Sequence, residues 1–214
     1  MVEFIDIFDA DFNYIGKEEK NEAHKQGLWH QTFHCWIIGE NNKLIVQLRS
    51  KDKSTNPNLL DISGAGHLSA GEKVEDGIRE LEEELGLKVN FKDLIYAGYF
   101  KWASDNESKV IIPYKNREFC HTFFLKNNLP LNQYKLQPEE LDGIFEIDIN
   151  EGKKLFLNKV KEIKINGYIR KDDNTLEKNE RVVNIGNFVK HDSLWLKVFN
   201  LIEDIHNNRT NIFI

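Results

Sequence analysis

The 214-residue sequence predicts a mixed α/β fold in one domain. Three observations lead there. Segments rich in β-branched and aromatic residues (HQTFHCWII, KLIVQLR, EFCHTFFLK) recur as strands. Residues 74–85 carry apolar side chains at helical spacing, directly behind a glycine-containing loop. The stretch SLWLKVFNLIEDIHN sets Leu194, Val198, Leu201 and Ile205 on one helical face.

Taken in order, EFIDIFD and NYIGKEEK read as two short strands joined by a turn at residues 9–13, an N-terminal β-hairpin within residues 1–20. HQTFHCWII and KLIVQLR flank GENN, a strong hairpin signal. SKDKSTNPNLLD is a polar loop. FKDLIYAGYFKW and EFCHTFFLK are aromatic-rich strands, and QPEELDGIFEIDI is a turn followed by a strand. NEGKKLFLNKV is a short helix candidate. KINGYIRKDDNTLEKNERVVNIGN is charge-dense, a surface hairpin or a mobile loop. The core therefore spans residues 28–150, and residues 151–214 form a C-terminal extension ending in a helix.

A hydrophobic content of 40%, with 14 Phe and 4 Trp, is enough for a core. The net charge of −6 argues against a general nucleic-acid binder, which needs a basic face. The opening MVEFIDIFDADF has no basic flank leading into an apolar stretch, so no signal peptide is expected. No apolar run approaches the roughly 18 residues of a membrane span. Cys35 and Cys120 lie in apolar strand-like segments, as expected of reduced, buried thiols. A cytoplasmic protein without a membrane partner follows.

The densest feature is acidic. Six carboxylates fall within residues 75–84. On a helix at about 100° per residue, Val74, Ile78, Leu81 and Leu85 form the core stripe, and Asp76, Glu80, Glu83 and Glu84 share another face. Gly86 suits the position just past the helix end, with Leu87 folding back. Like charges at these spacings cost a few tenths of a kcal/mol per pair, so something should offset them. One explanation is a solvated face, with Arg79 pairing Glu75 and Glu83. The other is a Mg²⁺ or Mn²⁺ site, where hard oxygen ligands converge. Gly64 and Gly66 allow close backbone approach and can present a carbonyl to the same ion.

RELEEELGL, residues 79–87, resembles the second half of the Nudix box, and Gly66 and Glu72 have the five-residue gap of its first half. Six residues separate Glu72 from Arg79 where the box has seven, which leaves the direction of Glu72 open. The resemblance implies a Nudix α/β/α sandwich, a mixed curved sheet between helices, with the N-terminal β-hairpin ahead of it and the box at residues 66–87. It implies that Glu80, Glu83 and Glu84 bind divalent cations, Mg²⁺ or Mn²⁺, with the Gly66 carbonyl completing the coordination and Arg79 holding a neighbouring carboxylate. The implied chemistry is attack of water on the diphosphate bridge of a small molecule. Glu139 and Glu140 in QPEEL are candidates for the base, with a surface-turn role the simpler reading of each.

Within the superfamily, GAGHL, AHKQGLWHQTFHCWII and KNREFCHTFF resemble segments of isopentenyl-diphosphate isomerase. This second resemblance implies a metal site, for Zn²⁺ or Mn²⁺, at His24, His30, His67 and Glu118. Asn116 stands where that family has a further glutamate, and Ala65 where it has the catalytic cysteine. The intact box glutamates point to a hydrolase of the isomerase-like branch. An isomerase and a non-catalytic nucleotide or sugar-diphosphate sensor are the alternatives. His34, His121, His191 and His206 are read as strand or surface residues. Arg49, Lys51 and Lys53 would meet phosphate groups. Trp29, Trp36, Tyr99, Trp102 and Tyr114 would stack on substrate or, more simply, fill the core. A homodimer is compatible with this fold.

Overall fold

The computed structural model describes residues 2–106, 114–191, 193–209 and 212–214. Among the described residues, eleven strands form one sheet. β1 (Phe4–Phe8) and β2 (Tyr14–Glu19) pair antiparallel as the N-terminal hairpin. Asp9 closes its turn by accepting the N–H bonds of Asp11 and Asn13 at 2.9 Å each. The hairpin also braces the glycine loop. Ala70 donates its N–H to the Phe4 carbonyl, and Gly71 donates to the Asp6 carboxylate. A helix not anticipated from the sequence follows, α1 (Lys20–Gln26), capped by the Glu19 carboxylate and ended at Gly27 with φ of 76°.

β3 (Trp29–Ile38) organises the sheet. One edge pairs in parallel with β8 (Tyr114–Lys126), which pairs antiparallel with β7 (Ile95–Asn106). Its other edge changes partner twice: β1 at Trp29 and His30, β6 (Gly64–His67) along residues 32–35, and β4 (Leu44–Arg49) at Ile37 and Ile38. The hairpin expected around GENN therefore exists only at its closed end. β4 diverges to pair with β5 (Leu60–Asp61) and β9 (Leu141–Ile147), and β6 occupies the edge so vacated.

Alternate residues of β3 face opposite sides, as strand geometry requires. Trp36 joins a core with Phe145, Trp195 and Phe199, covered by α3 (Ile149–Phe156) and α4 (Leu194–His206). Phe33 and Cys35 join the opposite core with Leu81 and Leu85 of α2 (Arg79–Leu85). The sheet thus lies between helices, the expected sandwich. The charge-dense segment near the C-terminus is a hairpin, β10 (Ile163–Arg170) and β11 (Leu176–Val183), that extends this sheet beside β9. It read as polar because Ile163, Ile165 and Gly167 alternate with exposed residues, so only one face is buried.

The helix expected over 74–85 has two parts. Val74–Ile78 is 3-10 and only Arg79–Leu85 is α. Gly77 lies where a Cβ would stand 2.6 Å from that of Phe33. A 3-10 turn rises about 2.0 Å per residue against about 1.5 Å for an α-helix, so five residues gain reach comparable to the one missing from the box. Asp76 does not join the acidic face; it caps the turn by accepting the Lys73 N–H at 2.8 Å. Gly86 takes φ of 68° and Leu87 donates to the Leu81 carbonyl at 2.9 Å, ending α2 as expected. Cys35 and Cys120 are both free and buried. Among the described residues no helix is long and apolar enough to cross a membrane.

Gly152 of α3 faces Phe199 of α4, where a Cβ would stand 2.4 Å from the ring. Gly152→Val should therefore destabilise the protein by about 1–3 kcal/mol, lowering the melting temperature by several degrees in calorimetry. An unchanged midpoint would show that the two helices do not pack as described.

Candidate active site

α2 approaches β6 at glycine distance. A Cβ at Gly66 would fall 2.1 Å from the Glu80 carboxyl carbon, and one at Gly64 would fall 2.7 Å from a Leu81 methyl. Glu84 accepts the Ala65 N–H at 3.3 Å. Arg79 gathers the remaining charge. Its Nε donates to Glu72 Oε1 at 2.9 Å and its Nη2 to Glu72 Oε2 at 3.2 Å and to the His67 carbonyl at 3.0 Å. Its Nη1 donates to Glu80 at 2.6 Å and Glu83 at 3.1 Å. Glu72 therefore points inward despite the shortened junction, and also accepts the Ser69 N–H at 2.7 Å.

The acidic face is not uniformly solvated. Glu83 is exposed, but Glu84 is buried and the Glu80 side chain is only 12% exposed. Burial pushes the Glu80 carboxyl up to about 7; Arg79 opposes this and Glu83 adds to it. Burial and the Glu80 charge raise Glu84 well above the usual carboxylate range. Such a pair of hard oxygen donors is stabilised when positive charge sits between them.

Four of the other predicted residues converge beside this face. His24 Nε2 and His67 Nε2 are 3.0 Å apart, and Glu118 Oε1 lies 3.9 Å from both His30 Nε2 and His67 Nε2. His30 Nδ1 bonds the Leu28 carbonyl at 2.8 Å. A carbonyl only accepts, so Nδ1 carries the proton and Nε2 is a lone pair, buried without a partner. Burial lowers His24 to about 3, with the charge of His30 assisting, and lowers His67 and His30 as well. Neutral imidazoles beside a carboxylate are the donor set that suits Zn²⁺ or Mn²⁺. Tyr114 stacks on His24 at 4.2 Å.

A cleft of about 310 Å³ joins the two groups; its lining includes Gly66, Glu84, His67, Glu118, Arg49 and Lys53. The basic cluster divides. Arg49 spends its guanidinium on Asp61 at 3.0 Å and on the carbonyls of Thr55 and Asn56. Lys53 pairs with Glu140 at the cleft wall. Lys51 does not reach the cleft. A turn closed by Lys53 N–H to the Ser50 carbonyl leaves Lys51 exposed, held through its backbone to Asp142. Glu139 is likewise exposed on its turn, whereas Glu140 lines the cleft.

Sequence reasoning missed His34, Asp61 and His191, all buried in the cleft wall. His30, Thr32 and His34 alternate along β3, a period-two signal of a polar face. Nothing local marks His191, whose Nε2 lies 3.4 Å from Asp61. Burial alone would raise Asp61, but the His191 hydrogen bond and the Arg49 charge bring it down to about 2. Of the aromatics, Trp102 stands over His191 at 4.3 Å and shares the cleft with Tyr114. Trp36 packs on Trp195 in the core, while Trp29 and Tyr99 pack around Phe119.

Because the folded Glu80 carboxyl sits near 7 against 4.5 for the free group, its contribution to stability is present below about pH 4.5 and lost as pH rises through 7. Over that window the metal-free wild type should lose about 3 kcal/mol relative to Glu80→Gln, a comparison that cancels the opposite slope of the buried histidines, and Mg²⁺ or Mn²⁺ should restore it above pH 7. Thermal melts of both proteins across pH, with chelator and with metal, measure this; a pH-independent difference between them in chelator would contradict the site.

Residues 28–164 match the NUDIX domain family. An uncharacterised Nudix hydrolase of Clostridium acetobutylicum is 37% identical over 199 residues, covering 92% of this chain and 94% of that protein. An isopentenyl-diphosphate Delta-isomerase of Photorhabdus laumondii is 28% identical over 153 residues, 70% of this chain and 82% of that one. A solved structure from Deinococcus radiodurans superposes with a TM-score of 0.54 at 18% identity, over 73% of this chain and 90% of that one, a likeness of fold. With the box glutamates gathered on α2 against a glycine strand, these matches establish that the chain belongs to the Nudix hydrolase family.

Proposed function

We propose that the protein hydrolyses a diphosphate linkage in a small molecule, a nucleoside diphosphate derivative or another organic diphosphate, with Mg²⁺ or Mn²⁺. The observation that carries this reading is Glu84, buried at the cleft against Ala65, with Glu80 half-buried beside it against Gly66. Glu80, Glu83, Glu84 and the Gly66 carbonyl would hold the cation, which when bound neutralises phosphoryl oxygens and acidifies an attacking water. Arg79 positions Glu80 and Glu83 through its guanidinium. Lys53 and Arg49 supply positive charge to the cleft lining. Glu140, which lines the cleft where Glu139 does not, would take a proton once phosphate competes for Lys53. The cluster of His24, His30, His67 and Glu118 fits a second ion, Zn²⁺ or Mn²⁺.

Residues 1–214 would act as one domain, since the C-terminal extension adds Val189 and His191 to the cleft wall. The net charge of −6 supports a small-molecule substrate over nucleic acid, and we place the activity in the cytoplasm.

The histidine cluster and the named isomerase relative favour one second reading, an isomerase-like proton transfer. Ala65 weighs against it, because it supplies no thiol facing Glu118.

Turnover of nucleotides, dinucleotides, sugar diphosphates, coenzyme A and isoprenoid diphosphates, with Mg²⁺ and with Mn²⁺, tests the proposal. Glu83→Gln should lower any hit roughly 100-fold; full activity in that variant sinks the reading. Silence across the panel with metal bound, joined by deuterium uptake into isopentenyl diphosphate, would establish the isomerase instead. Gly66→Ala should displace the flexible Glu80 side chain, cutting turnover at least about tenfold while barely moving the melting temperature. A large stability loss there would mean that Gly66 serves the fold rather than the site.

A further inference from the structure

Glu118 turns its two oxygens toward different partners. Oε1 faces His30 and His67, each at 3.9 Å. Oε2 lies 4.0 Å from His34 Nε2 and accepts a hydrogen bond from the Cys120 thiol at 3.4 Å. The parallel register of β3 and β8, His30 opposite Glu118 and Thr32 opposite Cys120, puts all of these on one face of the sheet.

We propose that His34, Glu118 and Cys120 form a thiolate metal site for a borderline-soft ion such as Zn²⁺, distinct from the carboxylate site on α2 and bridged to the histidine cluster by Glu118. Donor atoms of the three residues all lie within 4.8 Å of one another. Tetrahedral Zn²⁺, with bonds of about 2.0–2.3 Å, needs donors about 3.3–3.8 Å apart. Small side-chain shifts close that difference. Two ions sharing a carboxylate would sit about 3.5–4 Å apart, the spacing usual in binuclear sites.

The site is built and reachable. His34 is buried, and its Nδ1 has no partner. Its Nε2 shares only a 3.2 Å contact with the Thr32 hydroxyl, which metal binding would displace. Thr32, His34 and Glu118 line the cleft, so the fourth position opens toward substrate. Cys35 makes the contrast. It lies on the other face, packed with Phe33, Ile37 and Leu81 in an apolar core. On binding, a metal–sulfur bond forms and the S–H bond breaks, with the proton leaving to solvent through the cleft and no change in oxidation state. The sulfur donor selects against Mg²⁺.

The proposal stands apart from the hydrolase reading, and its test needs no turnover. Full-length protein stripped by chelator is titrated with Co²⁺ and followed for the near-ultraviolet thiolate-to-cobalt charge-transfer band. The band is expected in the wild type and in Cys35→Ser, and lost in Cys120→Ser together with about one bound Zn²⁺ per chain. His24→Ala should keep the band while weakening the neighbouring ion, which separates this site from the histidine cluster. Should Cys120→Ser fail to fold, X-ray absorption at the zinc edge of the wild type decides, through a Zn–S distance of about 2.3 Å. Absence of the band in the wild type, its loss in Cys35→Ser, or a zinc shell of nitrogen and oxygen alone would overturn the proposal.

Discussion

The guanidinium of Arg79 is the contact on which the site depends. It is the cation placed among Glu72, Glu80 and Glu83, and it also reaches the His67 carbonyl on β6. Exposed ion pairs contribute about 0–1 kcal/mol each, and Arg79 is about one-third exposed, so its importance lies in position more than in stability. It ties the glycine loop to α2, holds Glu80 against Gly66, and makes a crowded acidic face tolerable. The fork geometry of arginine serves this role and a lysine would not, because several acceptors are met at once in one plane.

The second organising fact is that β3 changes partner along one edge. Where β4 peels away toward β9, the short strand β6 takes its place in the sheet and brings Gly64, Gly66 and His67 beside α2. One strand then serves two purposes through its alternation. Phe33, Cys35 and Ile37 build the core under α2, while Thr32 and His34 line the cleft and His30 faces Glu118 on the same side. Burying several neutral imidazoles around one carboxylate costs hydration that no protein partner fully repays, as the unpartnered His30 Nε2 shows. Costs of that kind concentrate at functional sites.

The C-terminal extension is part of this construction. Trp195 at the start of α4 packs on Trp36 and donates its indole N–H to the Val189 carbonyl at 2.9 Å. That bond fixes the segment carrying His191 against Asp61. Residues with no readable motif thus close one wall of the cleft, through packing of a helix that was itself easy to read.

Much of the molecule was legible in the amino-acid order. The N-terminal hairpin, the apolar stripe of α2, its stop at Gly86 and the amphipathic α4 all rest on contacts between residues near in sequence, where turn chemistry and period decide the outcome. The box named its own glutamates and Arg79 for the same reason. Other features depended on pairings distant in sequence. The parallel register of β3 with β8 alone sets Glu118 beside His30 and Cys120 beside His34. The divergence of β4 reduced the expected GENN hairpin to two residue pairs. The turn at residues 50–53 turned Lys51 to solvent and Lys53 to the cleft, and close packing of Gly77 on Phe33 accompanied a 3-10 entry to α2. A sequence records which side chains are available and how each short segment prefers to fold. Which of them meet is decided by strand pairing and burial, energies that exist only once the whole sheet has closed.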